Sequence, residues 1–216
     1  MSDIHPLAIL IAACARGISG VQVTWVGCRP EERQRIYFAN HTSHLDFVVL
    51  WSALPPGVRS RTHPVAARDY WQGGVRAYLA KAVFRAVFVD RAAHSNHAGE
   101  EASFAAAHKV IDDLSAALGE SDSLIIFPEG TRGSGEGVGP FRSGIYHLAR
   151  KHPEVDLVPA YLENLSRILP KGELLPVPLL SRLTFGEPMR IHPAEAKEDF
   201  LARARTALES LRRKGQ

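Results

Sequence analysis

Apolar residues along this chain recur with two periods, and the change from one to the other marks out its elements. PLAILIAACA at 6–15 is a short apolar run closed by Arg16 and Gly17, a pattern for an N-terminal helix. Val21, Val23 and Trp25 then alternate with Gln22 and Thr24, CRPEERQ reads as a turn, and RIYFA at 35–39 follows as a second strand expected beside the first. Ser43 stands three residues before Asp46 at the head of an apolar run. This is the capping-box spacing, so HLDFVVLWSAL at 44–54 is expected to be a helix stopped by Pro55-Pro56-Gly57. Asn40 to Ser43 is then a strand-to-helix turn.

Trp71, Val75, Tyr78, Leu79 and Val83 share a helical face, with Arg76 and Lys81 elsewhere on the wheel, and AVFVDR gives a short strand ending at Arg91. The face suits a membrane interface or a core equally. Phe104, Ala107, Ile111, Leu114 and Leu118 step by three and four up to Gly119, an amphipathic helix. SLIIFPEGTR at 123–132 is an apolar strand with a polar end. A glycine-rich loop, a helix over 141–151, a strand VDLVPAYLE at 155–163, a short strand RLTFG and a last helix from about Pro193 complete the chain. Phe200, Leu201, Ala204, Leu208 and Leu211 share one side of that last helix, and Arg212, Arg213 and Lys214 make its end positive. Strand, helix, strand in this order predicts an α/β fold, a mostly parallel sheet flanked by helices.

With 216 residues, 45% of them hydrophobic, the chain can bury one core. The expected division is an N-terminal helix at 1–19, in contact with the core or a membrane surface, and one domain over 20–216 that includes the C-terminal helix. The first apolar run falls short of the roughly 20 residues needed to cross a bilayer. Asp3 and His5 precede it where an export signal would carry basic residues, so it does not read as one. Cys14 and Cys28 lack paired spacing and are expected to be reduced thiols. The net charge of +3 conceals a basic stretch: Arg59, Arg61, Arg68, Arg76, Lys81, Arg85 and Arg91 against Asp69 and Asp90. Such an excess suits phosphates or anionic lipid, or forms a solvated face. No nucleic-acid partner is expected.

In open α/β sheets ligands gather at the carboxyl ends of strands. Four polar clusters stand there: Asn40–Asp46, Asp90-Arg91, Pro128–Arg132, and the glycine-rich loop leading to Arg142. In NHTSHLD, a metal site would use His41, His44 and Asp46, but the spacing is not that of two histidines four apart on one helical face. Capping uses only Ser43 and Asp46. A third reading lets Asp46 take one ring nitrogen of His41 and leaves the other as a base. In that case no Gly-x-Ser-x-Gly nucleophile accompanies it, so a substrate hydroxyl would be activated directly.

NHTSHLD and FPEGTR, with Asp46 and Phe127 81 positions apart, resemble the two signature blocks of the glycerolipid acyltransferases typified by 1-acylglycerol-3-phosphate acyltransferase. VFVDR, FRSGIYHLA and LVPAYL resemble weaker blocks of the same family, so the resemblance covers roughly residues 20 to 190. Two positions depart from it: Ala86 stands where the family usually has glycine, and Arg142 where it often has lysine.

The resemblance implies a single glycerolipid acyltransferase-like domain. It makes His41 the general base and Asp46 its orienting partner, with Asn40, Ser43, Arg91, Glu129, Gly130, Thr131, Arg132 and Arg142 around the substrates. It further implies fatty acyl transfer to a lysophospholipid hydroxyl, with acyl-CoA or acyl-carrier protein as co-substrate. No metal or other cofactor is expected, and the implied place is the cytoplasmic side, peripherally on the inner face of the cell membrane. The residues alone also leave open a metal-dependent hydrolase built on His41, His44 and Asp46, and a non-catalytic lipid-binding module.

Overall fold

A strand buried at every position needs a neighbour on each edge and a layer on each face, and Arg35–Ala39 is such a strand. The computed structural model describes residues 6–68, 74–89, 100–133, 137–165 and 180–214. Among them, strands β1 (Gln22–Trp25), β2 (Arg35–Ala39), β3 (Thr62–Ala67), β4 (Val87–Val89), β5 (Ser123–Ile126), β6 (Asp156–Glu163) and β7 (Arg182–Phe185) form one sheet. Its order is β1-β7-β6-β2-β5-β3-β4. The strands β2 to β6 run parallel, while β7 is antiparallel to β6 and carries β1 parallel to itself. The expected mostly parallel α/β fold is thus the observed one.

The two strands expected side by side are not neighbours: β7 and β6 lie between β1 and β2. Their burial shows why. β1 is largely exposed and suits an edge, whereas β2 is apolar enough on both faces to sit at the centre.

The helices are α1 (Pro6–Ser19), α2 (Asp46–Ala53), α3 (Pro56–Arg59), α4 (Gly74–Tyr78), α5 (Glu100–Leu118), α6 (Gly144–Lys151) and α7 (Lys197–Lys214). Successive side chains of a strand point to opposite faces, so each strand divides between two cores. Tyr37 and Ala39 pack with Val49, Leu50, Trp51, Val83 and Phe84 on one face, where α1 and α2 lie. Ile36 and Phe38 pack on the other with Leu118, Leu148, Phe200 and Leu208 from α5, α6 and α7.

Three helices differ from the pattern reading. The segment after Trp71, a residue outside those described, is α4 followed by a π-helical turn, Leu79–Val83, so one continuous face never forms. Val75 and Tyr78 stay exposed while Ala80 and Val83 are buried. The helix expected from Phe141 starts at Gly144, because the Arg142 amide is drawn 2.8 Å to the Pro128 carbonyl. The last helix begins at Lys197, after a turn in which Ala194 has φ +59° and the His192 amide donates to Glu195 Oε2 at 2.9 Å. The hydrogen bond from Arg203 does most to hold the Glu195 carboxyl below its usual range.

The basic stretch also disperses. Arg59 is buried against the Trp51 ring at 5.2 Å and serves the carbonyls of Ser52 and Leu54. Arg85 lies 4.0 Å from Asp122 at the amino end of β5. Arg61, Arg68 and Lys81 are exposed. Asp90 and Arg91 fall outside the described residues, as does the side chain of Arg76.

Two things decide which end of the sheet carries chemistry. At the amino ends the polar side chains are paired with one another: Asp156 is held by Arg33 and by Arg190 at 2.7 Å, Arg35 pairs with Glu31 at 3.1 Å, and His63 with Asp122 at 3.0 Å. At the carboxyl ends, β2 and β5 are adjacent with Phe38 beside Ile126, yet the chain leaves β2 toward the α2 face and leaves β5 toward the α6 face. Adjacent strands whose connections part to opposite faces open a crevice between them.

Candidate active site

His41 stands at the mouth of that crevice, two residues past the end of β2. Its Nδ1 lies 2.9 Å from Asp46 Oδ2, which also accepts the amides of Thr42 at 2.5 Å and Ser43 at 2.8 Å. Asp46 is fully buried. An unpaired carboxylate there would cost several kcal/mol, and three donors on one oxygen offset this penalty. With Nδ1–H donated to the carboxylate, Nε2 is the nitrogen left to accept a proton. The imidazole also stacks on Phe127, centroids 4.4 Å apart and planes 26° from parallel, which fixes its second torsion.

The capping expectation is half met. Asp46 reaches back to the Ser43 amide as a capping box requires, but the helix begins at Asp46 itself and Ser43 Oγ accepts from Leu45 N at 3.3 Å instead. Asp46 therefore closes the turn and orients His41 with the same oxygen.

The second block folds over the first. Phe127 accepts from the Gly130 amide at 3.0 Å, closing a turn after which Gly130 takes φ +71°. The positive φ favours glycine here, and Arg142 packs over it, its Nε 2.5 Å from where a Cβ would stand. Glu129, only 8% exposed, accepts the His41 amide on Oε1 at 2.9 Å and the Gly139 amide on Oε2 at 3.0 Å. Gly133 N in turn donates to His41 O at 2.8 Å.

The structure thus brings His41, Asp46, Ser43, Glu129, Gly130 and Arg142 together. Arg142 Nε lies 3.4 Å from Glu129 O, and Arg132, exposed, donates to His44 Nε2. Thr131 is exposed on the same loop. Asn40 is buried in the sheet, exchanging two hydrogen bonds with the main chain of Leu162 at 2.9 and 2.8 Å, so both ends of its amide are committed. Arg91 lies outside the described residues. Beside Leu162, burial pushes the Tyr161 phenol above its ordinary range against the opposing pull of Arg212.

Among the described residues no group of three or more His, Cys, Asp or Glu is placed to hold a metal ion. The three ligands a metal reading would use are otherwise engaged, His41 with Asp46 and His44 with Arg132. Both cysteines are free thiols, and burial, the largest effect, raises the pKa of Cys28. Three contacts went unread in the sequence: the Phe127 stack, the His44–Arg132 bond and the closeness of Gly133 and Gly139 to Glu129. The glycine density of 130–139 was the available signal for the last, since glycines admit close approach.

Fold and site define an α/β protein with an aspartate-oriented histidine at a strand-end crevice. The acyltransferase family model matches residues 21–163, and the chain belongs to that family. It is 27% identical over 170 residues to the mouse 1-acyl-sn-glycerol-3-phosphate acyltransferase alpha, an alignment covering 76% of this chain and 53% of that one. It is 31% identical over 165 residues to the 1-acyl-sn-glycerol-3-phosphate acyltransferase of Limnanthes douglasii, covering 75% and 53%. The chain spans about half the length of the curated relatives it matches. The crystal structure of the 1-acyl-sn-glycerophosphate acyltransferase PlsC from Thermotoga maritima superposes with a TM-score of 0.71 at 18% identity, over 97% of this chain and 78% of that one, a likeness of fold.

Proposed function

We propose that this protein moves a fatty acyl group from acyl-CoA or acyl-carrier protein to the free hydroxyl of a lysophospholipid, 1-acyl-sn-glycerol-3-phosphate in the first instance, giving phosphatidate. The observation that carries the reading is the 2.9 Å His41–Asp46 pair at the crevice between β2 and β5. His41 Nε2 takes the proton of the acceptor hydroxyl as its oxygen attacks the thioester carbonyl. Collapse of the tetrahedral intermediate breaks the C–S bond, and the imidazolium returns the proton to the departing thiolate. Asp46 holds the ring in the Nδ1–H tautomer and stabilises the cation.

Arg132 and Arg142 supply charge for the acceptor phosphate, which places the hydroxyl beside His41. The amides of Thr42, Ser43, Gly130, Gly133 and Gly139 are already donated within the protein, so stabilisation of the oxyanion falls to other donors. The test is mass spectrometry of products after incubating the protein with mixed lysolipids and each acyl donor. Phosphatidate formed from lysophosphatidate supports the reading. Release of free fatty acid without lysolipid acylation would replace it with a hydrolase.

A peripheral membrane contact belongs to the same reading. Among the described residues no helix is long and apolar enough to cross a membrane. α1 instead lays Ala8 and Ala12 on the core and leaves Ile9 and Leu10 53% and 58% exposed. An apolar face of this kind seats in a lipid interface at roughly 25 cal/mol per Å² buried. Ile9→Asp with Leu10→Asp is expected to lower partitioning onto anionic vesicles about tenfold or more, measured by co-sedimentation. Unchanged partitioning would remove α1 from the contact.

A further inference from the structure

Glu129 belongs to the block that the family resemblance places around the acceptor, but its surroundings describe a different task. Both carboxylate oxygens are engaged by main-chain amides, His41 N at 2.9 Å and Gly139 N at 3.0 Å, and the side chain is nearly closed to solvent. The space for it is kept by two glycines: a Cβ at Gly139 would stand 2.7 Å from Oε2, and one at Gly133 3.3 Å from the same atom. Neither glycine has a positive φ, and what a side chain at either position would meet first is the carboxylate.

Seen from His41, the pattern is complete. Its amide is held by Glu129, its carbonyl by Gly133 N at 2.8 Å, its Nδ1 by Asp46 and its ring face by Phe127. The remaining polar atom is Nε2. Asp46 and Phe127 set the torsions of the side chain, and Asp46 also holds the turn beyond it through the Thr42 and Ser43 amides, but the His41 amide and carbonyl themselves are held elsewhere. They are held by the loop after β5, through Gly133 N and, as the charged contact among the described residues, through Glu129.

We infer that Glu129 is a positioning residue, which clamps the His41 main chain to the glycine-rich loop and holds the imidazole in register with the acceptor hydroxyl, rather than a ligand of the acceptor. The inference rests on the reading of His41 as the base. A base displaced by about 1 Å loses on the order of 10²-fold in rate, while a phosphate held by arginines is bound as before. The clamp therefore acts on kcat. A contact to the acceptor's bound state would act on KM.

The experiment compares the full chain with Glu129→Gln, Gly139→Ala and the double variant. In Glu129→Gln one carboxylate oxygen becomes an NH2 group that meets an amide N–H, so one of the two bonds is lost. Gly139→Ala keeps the charge but pushes Oε2 aside. Each is expected to lower kcat for acylation of lysophosphatidate by about 10²-fold with KM for the acceptor within about threefold. The double variant is expected to lose less than the product of the two, since both act on one carboxylate.

Amide proton shifts from 1H–15N spectra give a readout independent of activity. Bonds to a carboxylate are charge-assisted, so the His41 and Gly139 protons are expected to move upfield in Glu129→Gln. A rise in acceptor KM with kcat retained, or amide protons that do not move, would overturn the inference. Should one variant fail to fold, the other carries both readouts. If the unsubstituted protein acylates no lysolipid while the amide protons still move, the clamp stands and the proposed reaction falls.

Discussion

Replacing His41 with alanine is expected to lower kcat for lysophospholipid acylation by about 10²–10⁴-fold, the usual contribution of a positioned general base. KM for the acceptor should stay near its original value, since the charges proposed for the phosphate, Arg132 and Arg142, are untouched. The fold should persist: the ring is a partly exposed group, and its removal takes one of three donors from Asp46 Oδ2, leaving the Thr42 and Ser43 amides in place. That loss costs about 1–3 kcal/mol. Steady-state kinetics beside chemical denaturation separate the two effects. A His41→Ala protein that stays folded and keeps full transfer activity would remove the base from the mechanism.

Asp46→Asn is the second large effect, and it distinguishes orientation from capping. An asparagine oxygen in the place of Oδ2 still accepts from Thr42 N, Ser43 N and His41 Nδ1, so the turn survives. Its NH2 group, however, falls where Asp46 Oδ1 is buried without a hydrogen-bond partner among the described residues. The opposite rotamer sets NH2 against two amide donors. Either way about 1–3 kcal/mol of stability is lost. The negative charge that stabilises the imidazolium is gone as well, and kcat is expected to fall by about 10²–10⁴-fold. Lower stability with unchanged kcat would leave Asp46 a cap and nothing more.

The way the two signature blocks meet explains how far the site could be read from the chain. The His41–Asp46 pair is local: the six residues from His41 to Asp46 span a turn just past a strand end and a first helical residue, so the two side chains meet without help from distant segments. Glu129 is 88 positions from His41, and its position in a block said only that it belonged near the site. That its oxygens go to backbone amides depends on β2 and β5 being neighbours, with Phe38 beside Ile126. His44 shows the same limit. It reads as a candidate metal ligand in the chain, and its meeting with Arg132 becomes visible only across the crevice.

Element type was legible because periodicity records burial, and burial acts on each strand and helix separately. A strand such as Arg35–Ala39, apolar on both faces, is central wherever it pairs. Which strand pairs with which is another matter. β1 follows α1 and precedes β2 closely, yet β7, from the far end of the chain, takes the place beside it, and the antiparallel turn of β7 on β6 makes room.

The sequence by itself determined the parallel α/β class and the bounds of most helices to within a few residues, and offered the pairing of His41 with Asp46 as one of three readings, all of which rest on interactions between residues close in the chain. Only the tertiary structure decided the strand order, the burial of Arg59 and Asn40, and the clamp of Glu129 on His41. Each of these is a contact between segments that pattern alone leaves free to meet many partners, and it is fixed by which surfaces exclude water together.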